Sequence, residues 1–267
     1  LGSSKEILLV TLNATYQHAS FGLRYLMANL RNLQERAEIY EATINQEVRD
    51  IVEQILLRRP LIVGFGVYIW NTAETEQVVA MLRKIAPDII VVLGGPEVSY
   101  EVEEQKLFEL ANYIIKGEAD FLFYDFCKSI LIHNVLPEQK LISGPLPPIQ
   151  EIQMPYDFYT DEDIKNRVIY VEASRGCPYR CEYCLSSLDK SVRAFPIDTF
   201  LAKLDLLIHR GARDFKFVDR TFNLNVATSL QILNFFLEKA ELGLFLHFEM
   251  VPDRLPVELR DVIKRFP

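Results

Sequence analysis

The sequence predicts an α/β protein in two parts, a doubly wound parallel sheet followed by the opening units of a parallel βα barrel. Three observations predict it. Short β-branched runs alternate with helix-period segments through residues 1–137, and the same rhythm resumes after residue 166. Between them lies a stretch broken by Pro137, Pro145, Pro147, Pro148 and Pro155. With 267 residues, 49% of them hydrophobic, the chain can bury a substantial core.

In the first part, strands are expected at residues 7–12, 39–43, 61–65, 89–93 and 113–115, because these are short apolar runs of strand length. Helices are expected near 21–35, 47–57, 73–85, 100–110 and 120–132. Small or polar residues follow the strands: Asn13 to His18 after the first, Gly66 to Tyr68 after the third, Gly94-Gly95-Pro96-Glu97 after the fourth and Gly117-Glu118 after the fifth. Ligands of open α/β sheets bind beyond the carboxyl ends of the strands. His18, Gly66, Tyr68, Gly94, Gly95, Pro96, Glu97, Gly117 and Glu118 are therefore candidate binding residues. Neither G-x-G-x-x-G after the first strand nor G-x4-G-K-[ST] occurs, so the dinucleotide and P-loop readings lack their phosphate-cradling glycines.

Residues 138–166 read as a linker, stiffened by its prolines and without regular elements. The acidic stretch 157–163 reads as a solvated surface. Beyond it, an apolar run ends at Val171, and helices are expected at 197–210, 226–242 and 256–265, with strands at 214–218 and 244–250. Functional groups of parallel barrels sit at the carboxyl ends of their strands, which singles out Asp219 and Glu249.

Cys177, Cys181 and Cys184 make the spacing C-x3-C-x2-C. Three thiolates on one short loop can hold three irons of a cubane cluster and leave the fourth iron open to an outside ligand. A structural zinc would need a fourth, distant ligand, since no second knuckle is present. The remaining cysteine, Cys127, sits among helix-spaced apolar residues and reads as a buried bystander.

The segment Glu172-Ala173-Ser174-Arg175-Gly176-Cys177-Pro178-Tyr179-Arg180-Cys181-Glu182-Tyr183-Cys184 resembles the cluster loop of radical S-adenosylmethionine (SAM) enzymes. The resemblance implies that Cys177, Cys181 and Cys184 bind a [4Fe–4S] cluster whose open iron takes the amino and carboxylate groups of SAM. Reductive SAM cleavage would then yield a 5′-deoxyadenosyl radical. It also implies Tyr183 near the adenine, Asp219 at the SAM amino group, Glu249 facing SAM or substrate, and Arg193 donating to a carboxylate or ribose. No catalytic side chain is singled out.

The glycine loops, and the order of sheet before cysteine loop, resemble the cobalamin-binding domain that precedes the barrel in one class of these enzymes. Glycine there would let the backbone approach a flat macrocycle. The expected organisation is a Rossmann-like, cobalamin-binding-type domain over 1–137, a linker over 138–166, and the N-terminal portion of a radical SAM barrel over 167–267. The D-x-H-x-x-G motif of many cobalamin domains is not met, because Tyr16 stands two before His18 and Gly22 four after it; domains of this class commonly lack it. Methylthiotransferases also place an α/β domain first, but theirs supplies three further cluster cysteines.

The expected function is that of a cobalamin-dependent radical SAM enzyme, acting by methyl transfer to an unactivated carbon or by radical rearrangement. The alternatives are a non-catalytic cofactor-binding module, or a radical SAM enzyme whose first domain binds no cobalamin. The resemblance implies an electron donor such as flavodoxin or ferredoxin, while the substrate, small molecule or macromolecule, is left open. A net charge of −8 argues against nucleic acid as a partner. No apolar run approaches the roughly 20 residues of a membrane helix, and reduced thiols fit the cytoplasm. The 101 residues after Asn166 fit three βα units, which reads as a truncated barrel prone to self-association through an open edge. Leu1-Gly2-Ser3-Ser4 reads as a cloning scar or trimmed terminus.

Overall fold

The computed structural model describes residues 5–185, 191–253 and 255–267; the Leu1 to Ser4 segment lies outside them. The chain divides into two compact units, the first ending at Phe158 and the second starting at Tyr159. The first unit is a six-stranded parallel sheet in the order β2-β1-β3-β4-β5-β6. Its strands are β1 (Ile7–Asn13), β2 (Ala37–Thr43), β3 (Ile62–Gly66), β4 (Ile90–Gly94), β5 (Tyr113–Ile115) and β6 (Leu141–Ile142). Its helices are α1 (Phe21–Asn29), α2 (Val48–Leu57), α3 (Thr72–Ile85), α4 (Lys106–Leu110) and α5 (Asp120–Leu131).

Alternate residues of each strand serve opposite faces. Leu8, Val10, Leu12, Val63, Phe65, Val91 and Leu93 pack with Ile51, Val52 and Ile55 of α2 and Val78, Val79 and Leu82 of α3. On the other face Ile7, Leu9, Ile62, Val92 and Ile115 pack with Leu23 and Met27 of α1 and Phe123, Phe126 and Cys127 of α5. Both faces are covered, so β1 is buried along its whole length and reads as a continuous apolar run. The edge strand β2 is mostly half-buried and carries Glu38 and Glu41. Cys127 is fully buried, and burial pushes its thiol far above its usual range, so it is inert.

Three expectations need correction. The stretch 138–166 is not without regular elements: it holds β6, two 3-10 turns (Ile149–Glu151 and Tyr156–Phe158) and the helix α6 (Asp161–Asn166). Its middle is fastened to the first unit, where Asn29 Nδ2 donates to the Gln153 carbonyl at 3.1 Å and Gln153 N donates to Asn29 Oδ1 at 2.9 Å. Prolines removed donors here without preventing docking, because Ile149, Ile152 and Tyr156 bury their side chains. The acidic stretch is not wholly solvated either, since Asp163 is buried, closes a capping box with Thr160 and pairs with Arg167 at 3.2 Å. The helix expected over 100–110 is confined to α4, preceded by two short 3-10 turns, with Glu101 in the left-handed region.

The second unit contains a three-stranded parallel sheet, β7 (Ile169–Val171), β10 (Asp214–Phe217) and β11 (Phe245–His247), with β10 in the middle. Helices α7 (Ile197–His209), α8 (Val226–Leu237) and α9 (Val257–Ile263) complete the βα rhythm. Between β7 and α7 runs a two-stranded antiparallel hairpin, β8 (Ser174–Arg175) and β9 (Arg193–Ala194). Phe200, Phe215, Phe217, Phe222 and Phe236 fill the core. On the edge of β7 away from β10, the buried Tyr159 hydroxyl donates to the Tyr170 carbonyl at 2.9 Å and accepts from Tyr170 N at 3.1 Å, satisfying a backbone pair the sheet leaves open.

Gly95 has φ +113, and a Cβ there would stand 2.4 Å from the Val67 carbonyl oxygen. Gly117 has φ +75 but faces open space. Gly95→Ala should therefore destabilise the first unit by about 2 kcal/mol or more, combining strain with a backbone clash, whereas Gly117→Ala should cost only about 1 kcal/mol. Urea denaturation of the two variants checks this, and equal midpoints would contradict it.

Candidate cofactor-binding sites

The strand order 2-1-3-4-5 reverses direction between β1 and β3, which places a crevice at their carboxyl ends. Asn71, fully buried at the start of α3, ties those ends together. Its Nδ2 donates to the carbonyls of Leu12 at 3.0 Å and Gly66 at 3.1 Å, and its Oδ1 accepts from Tyr68 N at 2.8 Å. Thr11 Oγ1 also donates to the Gly66 carbonyl, at 3.1 Å. These bonds satisfy groups that the strands cannot pair as they diverge, and they fix the turn that presents Tyr68, Ile69 and Trp70. Tyr68 and Trp70 stack with centroids 4.5 Å apart and planes 8° apart. Ile69 and Trp70 are exposed.

The neighbouring loop, after β1, is organised from β2. Burial alone would raise the Glu41 carboxyl's pKa, but the Arg24 guanidinium at 2.9 Å and hydrogen bonds from Ser20 N and Asn13 Nδ2 outweigh it and hold it below the usual carboxylate range. Arg24 also donates to the Ser20 carbonyl at 2.9 Å. His18 lies half-buried on this loop. The loops after β4 and β5 are joined by Ser99, whose Oγ donates to the Gly95 carbonyl at 2.8 Å and accepts from Gly117 N at 3.1 Å. Val67 N donates to the Gly94 carbonyl at 2.8 Å, linking the third loop to the fourth. Gly66, Tyr68, Gly94, Gly95 and Gly117 thus lie on bonded neighbouring loops; Pro96 is exposed, and Glu97 and Glu118 are half-buried.

In the second unit the β8–β9 hairpin brackets the cysteine loop. Gly176 has φ +89, and a Cβ there would collide with the Ser191 carbonyl, so glycine is required where the loop leaves the hairpin. Cys177 is buried, Cys181 exposed and Cys184 half-buried. Among the described residues no three Cys, His, Asp or Glu side chains are gathered as a metal-ligand set. The donor chemistry fits a cluster nonetheless: three soft sulfurs follow a parallel strand on one loop, and ligand gathering is coupled to metal binding.

Asp219 is buried at the end of β10 and accepts from Ala173 N at 3.0 Å and Ser174 Oγ at 2.7 Å. It thereby holds the stretch leading from β7 into the hairpin. Burial pushes its pKa up to about 6, partly offset by the Ala173 and Ser174 hydrogen bonds and aided by the nearby Glu172. Glu172 itself pairs with Arg175 at 2.8 Å. Arg193, half-buried on β9, stands in register opposite Arg175. Glu249 is exposed, and its carbonyl accepts from Phe222 N at 2.9 Å. Tyr183 is 93% exposed.

Sequence reasoning passed over Asn71, Glu41, Ser99 and Thr221. Asn71 had a signal, as an amide before an apolar-periodic helix, but that pattern predicts a helix cap, whereas here the side chain bonds to strand carbonyls.

Fold and site together define a parallel α/β sheet with a ligand crevice, followed by βα units bearing a three-cysteine loop. Residues 7–125 match the B12 binding domain family. Over 97% of its length the chain has the fold of the radical SAM methyltransferase TsrM from Kitasatospora setae (TM-score 0.76, 16% identity, 57% of that chain). The cobalamin-dependent SAM radical enzyme OxsB matches at TM-score 0.70 and 18% identity, over 97% of this chain and 41% of that one. An uncharacterized methyltransferase of Pyrococcus horikoshii is 26% identical over 79% of this chain and 50% of its own length. The anaerobic magnesium-protoporphyrin IX monomethyl ester cyclase of Rubrivivax gelatinosus is 24% identical over 49% and 28%. The chain thus spans half or less of these curated relatives.

The buried Asp219 carboxyl makes stability depend on pH. A carboxyl held above its unfolded pKa adds stability that is complete below about pH 4 and lost as pH rises through about 6, up to about 3 kcal/mol. Asp219→Asn, which keeps an acceptor for Ala173 N, should flatten this part of the profile. Thermal midpoints from pH 4 to 7 measure it, and parallel profiles for both proteins would contradict it.

Proposed function

We propose that this chain is the cofactor-binding portion of a cobalamin-dependent radical SAM enzyme, with a cobalamin domain corresponding to residues 1–137 and the first part of the radical SAM barrel to 167–267. The observation that carries the reading is the C-x3-C-x2-C loop following a parallel strand, in a chain whose first unit matches the B12 binding domain. When bound, the two groups would supply reductive SAM cleavage at an open iron and the carriage of a methyl group to carbon, or a radical rearrangement.

This chain's own residues would do the holding. Cys177, Cys181 and Cys184 supply the sulfurs, and Asp219 keeps the approach to their loop in place. Asn71 fixes the turn carrying Tyr68 and Trp70, whose flat apolar surface suits a macrocycle, and Gly117 leaves its neighbourhood open. Tyr183, Arg193 and Glu249 are proposed to contact SAM, and His18, Pro96, Glu97 and Glu118 to line the corrin. An external electron donor would reduce the cluster. Among the described residues no helix is long and apolar enough to cross a membrane; a cytoplasmic setting would keep the thiols reduced.

Anaerobic reconstitution tests the cluster. It should load about four irons and four sulfides per chain, and Cys181→Ala should lose most of that iron; zinc without iron would overturn the reading. Incubation with hydroxocobalamin followed by gel filtration tests the first unit. Corrin absorbance should stay with the protein, and Asn71→Leu should weaken retention at least tenfold by freeing the Tyr68 turn. No retained corrin in the unsubstituted protein would leave a radical SAM reading without cobalamin.

A further inference from the structure

Thr221, two residues beyond Asp219, is buried, and its Oγ1 lies 3.7 Å from Cys177 Sγ. Among the described residues this is the only hydrogen bond of either side chain. Cys177 is also the buried member of the cysteine trio. Three contacts hold the chain around this hydroxyl. The Leu224 amide donates to the Thr221 carbonyl at 3.2 Å, and Phe222 N is held by the Glu249 carbonyl at 2.9 Å. The adjacent Phe222 ring packs on Phe217 and Phe248, with centroids 5.5 and 4.1 Å away.

As a thiol, Cys177 could donate to Thr221 or accept from it. As a thiolate bound to iron it has no proton and can only accept, so the hydroxyl must turn its hydrogen toward the sulfur. A hydrogen bond to a ligand sulfur stabilises the more negative, reduced state of a cluster and raises its reduction potential, the more so where water is excluded.

We propose that Thr221 is a positioning residue that donates a hydrogen bond to the Cys177 sulfur and sets the reduction potential of a cluster bound there. The inference rests on the cluster reading above. It adds a residue that neither the cysteine spacing nor the comparisons assign.

The test is a redox titration, followed by electron paramagnetic resonance, of the full chain reconstituted anaerobically, alongside Thr221→Val, Thr221→Ala and Thr221→Ser. Val and Ala should take up iron like the unsubstituted protein but show a ratio of reduced to oxidised cluster roughly tenfold lower at a fixed ambient potential, equivalent to about 59 mV for one electron. Ser, which restores the hydroxyl, should restore the ratio. Ala serves in place of Val should the branched substitution prevent folding. Full iron content with an unchanged potential in the hydroxyl-less variants would overturn the role of Thr221 alone. An unsubstituted protein that takes up no iron would overturn the cluster reading, and this inference with it.

Discussion

Parallel strands end with unpaired backbone groups, and in both units a buried polar side chain from the next element closes that end. In the first unit it is Asn71, bonding to Leu12 and Gly66 carbonyls. In the second it is Asp219, accepting from Ala173 and Ser174. The polarity of each device follows its partners: diverging strand ends offered carbonyls and drew an amide donor, while the turn after β7 offered donors and drew a carboxylate. The loops proposed to hold ligands are therefore fixed by hydrogen bonds from buried side chains, as preorganised binding requires.

The two devices differ in cost. A buried amide is neutral and needs only its hydrogen bonds, which Asn71 has. A buried carboxylate must either pair with a cation or raise its pKa, and Asp219 does the latter. Glu41 shows the third solution, since the Arg24 guanidinium keeps it ionised and lets one carboxylate organise the whole β1–α1 loop.

Much of this was legible in the sequence. Strands β1 to β5 fall where apolar runs of strand length predict them, and the cysteine loop sits after β7 as expected. The two-residue strands β6, β8 and β9 were not legible, because so few residues carry no periodic signal and only tertiary contacts define them. Asp163 looked solvated because composition cannot reveal a capping box that turns an acid inward. Glycines could be found but not ranked: Gly95 is sterically required and Gly117 is not, a distinction made by the distance to Val67. The polar anchors were missed for a related reason. Asn71 meets the Leu12 carbonyl across 59 positions of sequence, and Thr221 meets Cys177 across 44.

We propose that Cys177, Cys181 and Cys184 hold a cluster with one iron open to SAM. Electron paramagnetic resonance of the reduced, anaerobically reconstituted protein, recorded with and without SAM, tests it most directly. The reduced protein should give an iron–sulfur signal whose g-values move when SAM is added. A reduced cluster whose spectrum is indifferent to SAM, or a protein with no such signal, would contradict it.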